Sequence, residues 1–167
     1  MSATQPDLTP ESEPTRRDFL KLAWVGLGAL ALAETGVMAV AFSLPRVAEG
    51  EFGSVVTAGP VADFPPNSVT PFTQSRFYLS RLEDGGFLAL YRKCTHLGCS
   101  VPWEAPQDQF LCPCHASAFD ARGDVLNPPA PRALDLFPVI IEDGLVKVDT
   151  GVVIQRDKFD PTQVVYA

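Results

Sequence analysis

Every cysteine and every histidine of this 167-residue chain falls within one stretch of it. The stretch opens with Cys94-Thr95-His96-Leu97-Gly98-Cys99, runs through a twelve-residue insert, and closes with Cys112-Pro113-Cys114-His115-Ala116-Ser117. Four cysteines and two histidines gathered into two short boxes describe one site, and the fold must bring the boxes together. Thiolate and neutral imidazole are ligands for iron, zinc and copper. Six candidates exceed the needs of one tetrahedral zinc, and two Cys with two His leave a second pair of Cys over. Zinc sites usually pair ligands as C-x2–4-C and H-x3–5-H, a spacing that neither box follows. A structural zinc site remains the alternative at this level.

The two boxes resemble those of the Rieske iron–sulfur family, C-T-H-x-G-C and C-P-C-H-x-S. The resemblance implies one [2Fe-2S] cluster per chain, with Cys94 and Cys112 on one iron and His96 and His115 on the other. It also implies a disulfide between Cys99 and Cys114 that ties the two loops together. Replacing two thiolates by neutral imidazoles removes negative charge, so the potential rises from about −400 mV in all-cysteine ferredoxins to about −150 to +300 mV. Ser117 matches the family serine that donates a hydrogen bond to a cluster sulfide. Two residues on, many high-potential relatives carry a tyrosine bonded to a ligand sulfur, where this chain has Phe119. Losing that donor disfavours the more negative reduced state, which suits a low-potential quinol such as menaquinol. Leu97 and the segment Asn127-Pro128-Pro129-Ala130-Pro131 resemble the family's apolar cluster cover and proline loop, with Pro129 at its centre; fixed proline φ makes a stiff lid. Ala116 stands where glycine is common in the family.

The rest of the chain is read around that site. With net charge −7, a nucleic-acid partner is not expected. Residues 1–14 are polar and proline-containing and read as a disordered cytoplasmic tail. Thr15-Arg16-Arg17-Asp18-Phe19-Leu20-Lys21 resembles a complete twin-arginine export signal. That route suits a head that receives its cluster in the cytoplasm and folds before export. Residues 22–44 are almost wholly apolar, long enough to cross a hydrocarbon core of roughly 30 Å as one helix. A cleaved signal has a shorter apolar region of about 7–15 residues. Ala39-Val40-Ala41 imitates its cleavage site, but the length favours a retained anchor. Arg16, Arg17 and Lys21 place the N-terminus in the cytoplasm and the head outside the plasma membrane, where a disulfide persists. Glu34 lies within the span and is costly there; it either meets a partner protein or reaches the headgroups. Residues 45–53, with Pro45, Gly50 and Gly53, read as a flexible hinge.

Residues 54–167 read as short strands and turns. Strands are expected at 54–57, 76–82, 87–92, 134–137, 139–142, 145–148 and 152–154, with hairpin turns at Glu83-Asp84-Gly85-Gly86 and Asp143-Gly144. No helical period appears beyond the anchor. The expected fold is mainly β: a Rieske-type antiparallel β-sandwich with a cluster-binding part at about 92–131, plus one N-terminal transmembrane helix.

By resemblance, His115 accepts the hydrogen bond and proton of a quinol. The chain then serves as the iron–sulfur subunit of a cytochrome bc or b6-f-type quinol:cytochrome c (or plastocyanin-like) oxidoreductase. Its partners would be a cytochrome b-type subunit and a c-type cytochrome. The alternative is the small Rieske relay subunit of an arsenite-oxidase-like enzyme. A ring-hydroxylating oxygenase needs a further 2-His-1-carboxylate iron site, for which no histidine is left. A soluble Rieske ferredoxin needs neither signal nor anchor.

Overall fold

The computed structural model describes residues 15–44 and 50–167. The expected tail, 1–14, and residues 45–49 of the expected hinge lie outside the described residues. Two units follow from the geometry of the chain, one on each side of that gap.

The first unit is the helix α1, Arg16–Ser43. Its start is written into the arginine motif itself. Thr15 Oγ1 accepts from the Asp18 amide at 3.3 Å, and the Asp18 carboxylate accepts from the Thr15 amide at 3.3 Å. This capping box satisfies two of the amides that a helix N-terminus otherwise leaves without partners. None of the helix residues is buried, and among the described residues this is the one helix long and apolar enough to cross a membrane.

The second unit is built from eleven short strands. In chain order they are β1 (Val55–Pro60), β2 (Ser68–Phe72), β3 (Phe77–Arg81), β4 (Phe87–Tyr91), β5 (Trp103–Glu104), β6 (Gln109–Leu111), β7 (Ala118–Phe119), β8 (Val125–Asn127), β9 (Leu136–Phe137), β10 (Val139–Glu142) and β11 (Leu145–Asp149). They form three sheets ordered β1-β11-β10, β2-β3-β4-β9 and β5-β6-β7-β8, and every pairing is antiparallel.

The sheet β2-β3-β4-β9 is the middle layer. Phe77, Leu79, Phe87, Ala89 and Phe137 pack from one face against Val56, Val146 and Val148 of the first sheet. From the other face Tyr78, Leu88, Leu90 and Leu136 pack with Val101, Phe110, Phe119 and the two thiols Cys94 and Cys112. Burial on both faces explains why β3 and β4 read as nearly unbroken apolar runs rather than alternating ones. Ser80, turned to the cluster side, is satisfied by donating to the Ala121 carbonyl at 2.7 Å. The first core therefore holds the scaffold together, and the second carries the site.

The strands differ from expectation in three ways: β5 to β8 stand where no strand was expected, β2 is added, and 152–154 is lost. Residues 68–72 form β2, hidden in the sequence by Pro71. It is an edge strand paired only to β3, where a proline does not cost a ladder bond on both sides. Residues 152–154 do not form a strand; only Ile154 pairs, with Leu136, and Val152, Val153 and Ile154 stay exposed. Gly151 turns the chain there by donating to Asp149 Oδ1 at 2.9 Å.

Candidate metal centre

The two boxes fold into matching loops, one between β4 and β5 and one between β6 and β7. In the first, the Cys94 amide donates to the Cys99 carbonyl at 2.8 Å, and the Gly98 amide donates back to the Cys94 carbonyl at 2.9 Å. In the second, the Cys112 amide donates to the Ser117 carbonyl at 2.8 Å, and the Ala116 amide to the Cys112 carbonyl at 2.9 Å. Each six-residue turn is closed by the same pair of bonds, and its fifth residue is left-handed: Gly98 at φ 80° and Ala116 at φ 59°. The third position of the first loop is His96, and the fourth of the second is His115.

A disulfide joins Cys99 to Cys114, with 6.7 Å between their Cα atoms. The sulfurs of Cys99, Cys112 and Cys114 lie within 4.8 Å of one another, but the disulfide leaves only Cys112 of the three as a thiol. Cys94 and Cys112 are the free cysteines, both 2% exposed. The imidazoles of His96 and His115 stand side by side, ring centres 4.9 Å apart and planes at 82°. His96 is half-buried and His115 exposed. The donor set is thus layered, with two thiols inside and two imidazoles toward the surface.

Burial pushes the Cys94 thiol up, the His96 amide pulls it down, the neighbouring Cys112 thiol raises it, and the Ser117 hydroxyl lowers it. The buried Cys94 thiol therefore resists ionising alone; a bound cation supplies the missing charge. The site therefore fits a metal group held from within by sulfur and from outside by nitrogen.

A third segment clamps both loops. Asn127 Nδ2 donates to the Ala116 carbonyl at 2.9 Å, the Ala130 amide donates to Ser117 Oγ at 3.0 Å, and Thr95 Oγ1 donates to the Arg132 carbonyl at 2.6 Å. Arg132 is itself fixed by a two-pronged ion pair to Asp135. Ser117 is fully buried. Because Ser117 Oγ accepts from Ala130, its hydroxyl hydrogen is free to point at sulfur. Phe119 is also fully buried, in the same apolar cluster as Cys94 and Cys112. Leu97, by contrast, is 70% exposed, and Pro129 is exposed as well. Sequence reading placed Thr95 in the first box and Asn127 and Ala130 in the proline loop, but assigned none of them these bonds. All three bonds involve a backbone group that any residue there would offer, so little in residue type announces them.

Comparison with known proteins agrees with this geometry. The Rieske [2Fe-2S] domain profile matches residues 54–138, which contain both loops and the clamp. The cytochrome b6-f complex iron-sulfur subunit of Chlorobaculum tepidum is 31% identical over 134 residues, 80% of this chain and 74% of that protein. The corresponding subunit of Prochlorococcus marinus strain MIT 9215 is 48% identical over 73 residues, which cover 42% of this chain and 41% of that protein. Among solved structures, the plasma membrane Rieske protein PetC3 from the cyanobacterium Synechocystis PCC 6803 shares 29% identity, with a TM-score of 0.46 over 56% of this chain and 97% of that one. Two thiols, two imidazoles and a loop-joining disulfide, all inside a profile match that spans half the sequence, make this chain a member of the Rieske [2Fe-2S] family, with a [2Fe-2S] cluster as its cofactor.

Proposed function

We propose that the chain is the iron–sulfur subunit of a membrane quinol:cytochrome c (or plastocyanin-like) oxidoreductase of the cytochrome bc/b6-f type. Cys94 and Cys112 would hold one iron of the cluster, and His96 and His115 the other. When bound, the [2Fe-2S] group supplies one-electron transfer between quinol and a c-type cytochrome. His115 accepts the hydrogen bond of a quinol hydroxyl and takes its proton. Ser117 donates to cluster sulfur, while Leu97 and Pro129 present an apolar rim to the quinone ring. Residues 45–53 act as the hinge between anchor and head, the N-terminus is cytoplasmic, and the head stands on the outer side of the plasma membrane beside a cytochrome b-type subunit.

The observation that carries this reading is the exposure of His115 at the tip of the second loop, next to His96, while both thiols are sealed in the core. A ligand that must exchange protons with a substrate needs an open outer nitrogen; a ligand that only holds metal does not. The relative from Chlorobaculum tepidum, aligned over most of both chains, supports the choice of complex.

The test is a potentiometric titration of the membrane-bound protein followed by low-temperature EPR, with and without a quinol-site inhibitor. The reduced spectrum is expected to change shape when the inhibitor occupies the site. A Rieske spectrum indifferent to quinone and inhibitor would replace this reading with a relay subunit of the arsenite-oxidase kind.

A further inference from the structure

Beside the first cluster loop lies a cavity of about 400 Å³ whose lining includes Arg76, Arg92, Lys93, Thr73 and Ser100. Three of those residues are cationic and none of the lining residues is acidic, on a chain of net charge −7. Among the described residues, none of the three cations forms an ion pair; the pairs present involve Lys21, Arg132 and Lys147. Both guanidinium groups are held in place from behind. Arg92 stacks 5.2 Å over the Tyr78 ring and donates to Ser100 Oγ at 3.3 Å, and Arg76 stacks 4.6 Å over the Phe52 ring. The Nε of Arg92 is buried and has no hydrogen-bond partner, so a donor of the charged fork is withdrawn from water and left unmet. Lys93 reaches across the loop, and a Cβ on Gly98 would stand 3.1 Å from its Cε.

Like charges gathered in one cavity repel each other, and an unmet buried donor is costly. A multivalent oxyanion bound among the three cations relieves the repulsion. Pre-organised guanidinium forks suit the planar spread of phosphate oxygens, and the hydroxyls of Thr73 and Ser100 add neutral donors. We propose that this cavity is a binding site for a phosphate-type oxyanion, either free phosphate or the headgroup of an anionic lipid. The site goes beyond the proposed quinol chemistry and does not depend on it.

Its position gives it a consequence. Lys93 precedes the ligand candidate Cys94, and Gly98 and Ser100 flank the disulfide cysteine Cys99. A bound anion therefore adds negative charge next to the cluster and disfavours the reduced state. By linkage, the oxidised protein binds the anion more tightly and the midpoint falls as the site fills. A tenfold preference for the oxidised form reads as a fall of about 59 mV for one electron.

The experiment uses the full-length, cluster-loaded protein in nanodiscs of phosphatidylcholine, titrated with inorganic phosphate at constant ionic strength set by chloride. Calorimetry is expected to give saturable binding, and voltammetry a saturable fall in midpoint that chloride does not reproduce. Arg92→Gln and, as a more exposed second variant, Arg76→Gln should each weaken binding at least tenfold while keeping the cluster's EPR signal, which reports a folded head. Repeating the midpoint measurement with phosphatidic acid in the disc and no added phosphate separates the sources: a fall there identifies the headgroup, and a fall only with dissolved phosphate identifies the free anion. No saturable binding in either arm, or binding equally strong in both variants, overturns the site.

Discussion

Ala116 holds a left-handed backbone at φ 59° in the loop position where its counterpart, Gly98, sits at φ 80°. An L-residue there crowds its Cβ against the backbone, at about 1–2 kcal/mol, and glycine does not. Glycine also loses more chain entropy on folding, which returns part of the gain. Ala116→Gly is therefore expected to stabilise the holoprotein by about 0.5–1 kcal/mol, a rise of about 2–4 °C in melting temperature. Gly98→Ala should lower it, because its Cβ also presses on Lys93. Melts followed by visible circular dichroism decide this; an Ala116→Gly protein that melts no higher would mean the loop carries no strain at that residue. Phe119, buried among the thiols, invites a second substitution. Phe119→Tyr adds a hydroxyl to the closed apolar core that also holds the Cys94 and Cys112 thiols, and a bond from it to sulfur should favour the more negative reduced state. A charge-assisted hydrogen bond is worth about 1.5–3 kcal/mol, and only its difference between oxidation states counts, so the midpoint should rise by tens of mV, on the order of 30–60 mV. No rise would remove the argument that Phe119 sets a low potential for a menaquinol-type donor. The cysteines and histidines were legible because the residue types themselves declare the chemistry. The strain at Ala116 was not, since φ is set by the loop closure.

The last seventeen residues form an element that has almost no regular secondary structure yet closes the fold. Ile154 and Leu136 exchange backbone bonds at 2.8 and 2.9 Å, and Val165 and Phe87 do so at 2.8 and 3.1 Å, so the tail extends the edge of the middle sheet. Arg156 rivets it down. Buried at 6% exposure, its guanidinium donates to the Leu134 carbonyl at 2.7 Å, to Gln163 Oε1 at 2.7 Å, and to the Arg122 carbonyl. Burial holds its pKa below the usual arginine value, partly opposed by Asp124, Asp120 and Asp135. Arg156→Leu leaves two backbone carbonyls short of donors, at a cost of about 3 kcal/mol. The expected result is a lower melting temperature together with faster tryptic cleavage after Lys158, the exposed lysine of the tail. Unchanged cleavage and melting would show that the strand bridges alone hold it. Legibility divides along the same line. The β3–β4 and β10–β11 hairpins were readable because apolar-rich or alternating runs of four or five residues flank glycine turns. The strands β5 to β8 hold two or three residues each, too few for any period to register, and their pairing is imposed by the core and the cluster loops. A single buried arginine in an irregular tail has no pattern at all.

At the scale of the whole molecule, the open question is what covers α1. Its 28 residues extend about 42 Å, more than the roughly 30 Å of a hydrocarbon core, and none of them is buried. Lipid satisfies such a surface except at Glu34. That residue stands twelve positions, about 18 Å, beyond Leu22, near the middle of the apolar run. The neighbouring Thr35 hydroxyl is satisfied by the Ala31 carbonyl at 2.7 Å, whereas among the described residues no hydrogen bond or ion pair reaches Glu34. An acidic side chain at that depth costs about 2.5–3.5 kcal/mol on insertion scales, so its retention calls for a partner that takes its hydrogen bond. If that partner is another subunit's helix, Glu34→Leu should leave insertion of the chain intact or improved. It should also lower the amount of this subunit that stays with b-type cytochrome after mild detergent extraction. A helix–helix hydrogen bond in a membrane is worth about 0.6–2 kcal/mol, so retention should fall several-fold rather than vanish. Equal retention in the variant would assign Glu34 to the headgroup region, where bending of the bilayer or a tilted helix brings it to water, and would leave the head alone to choose the partner.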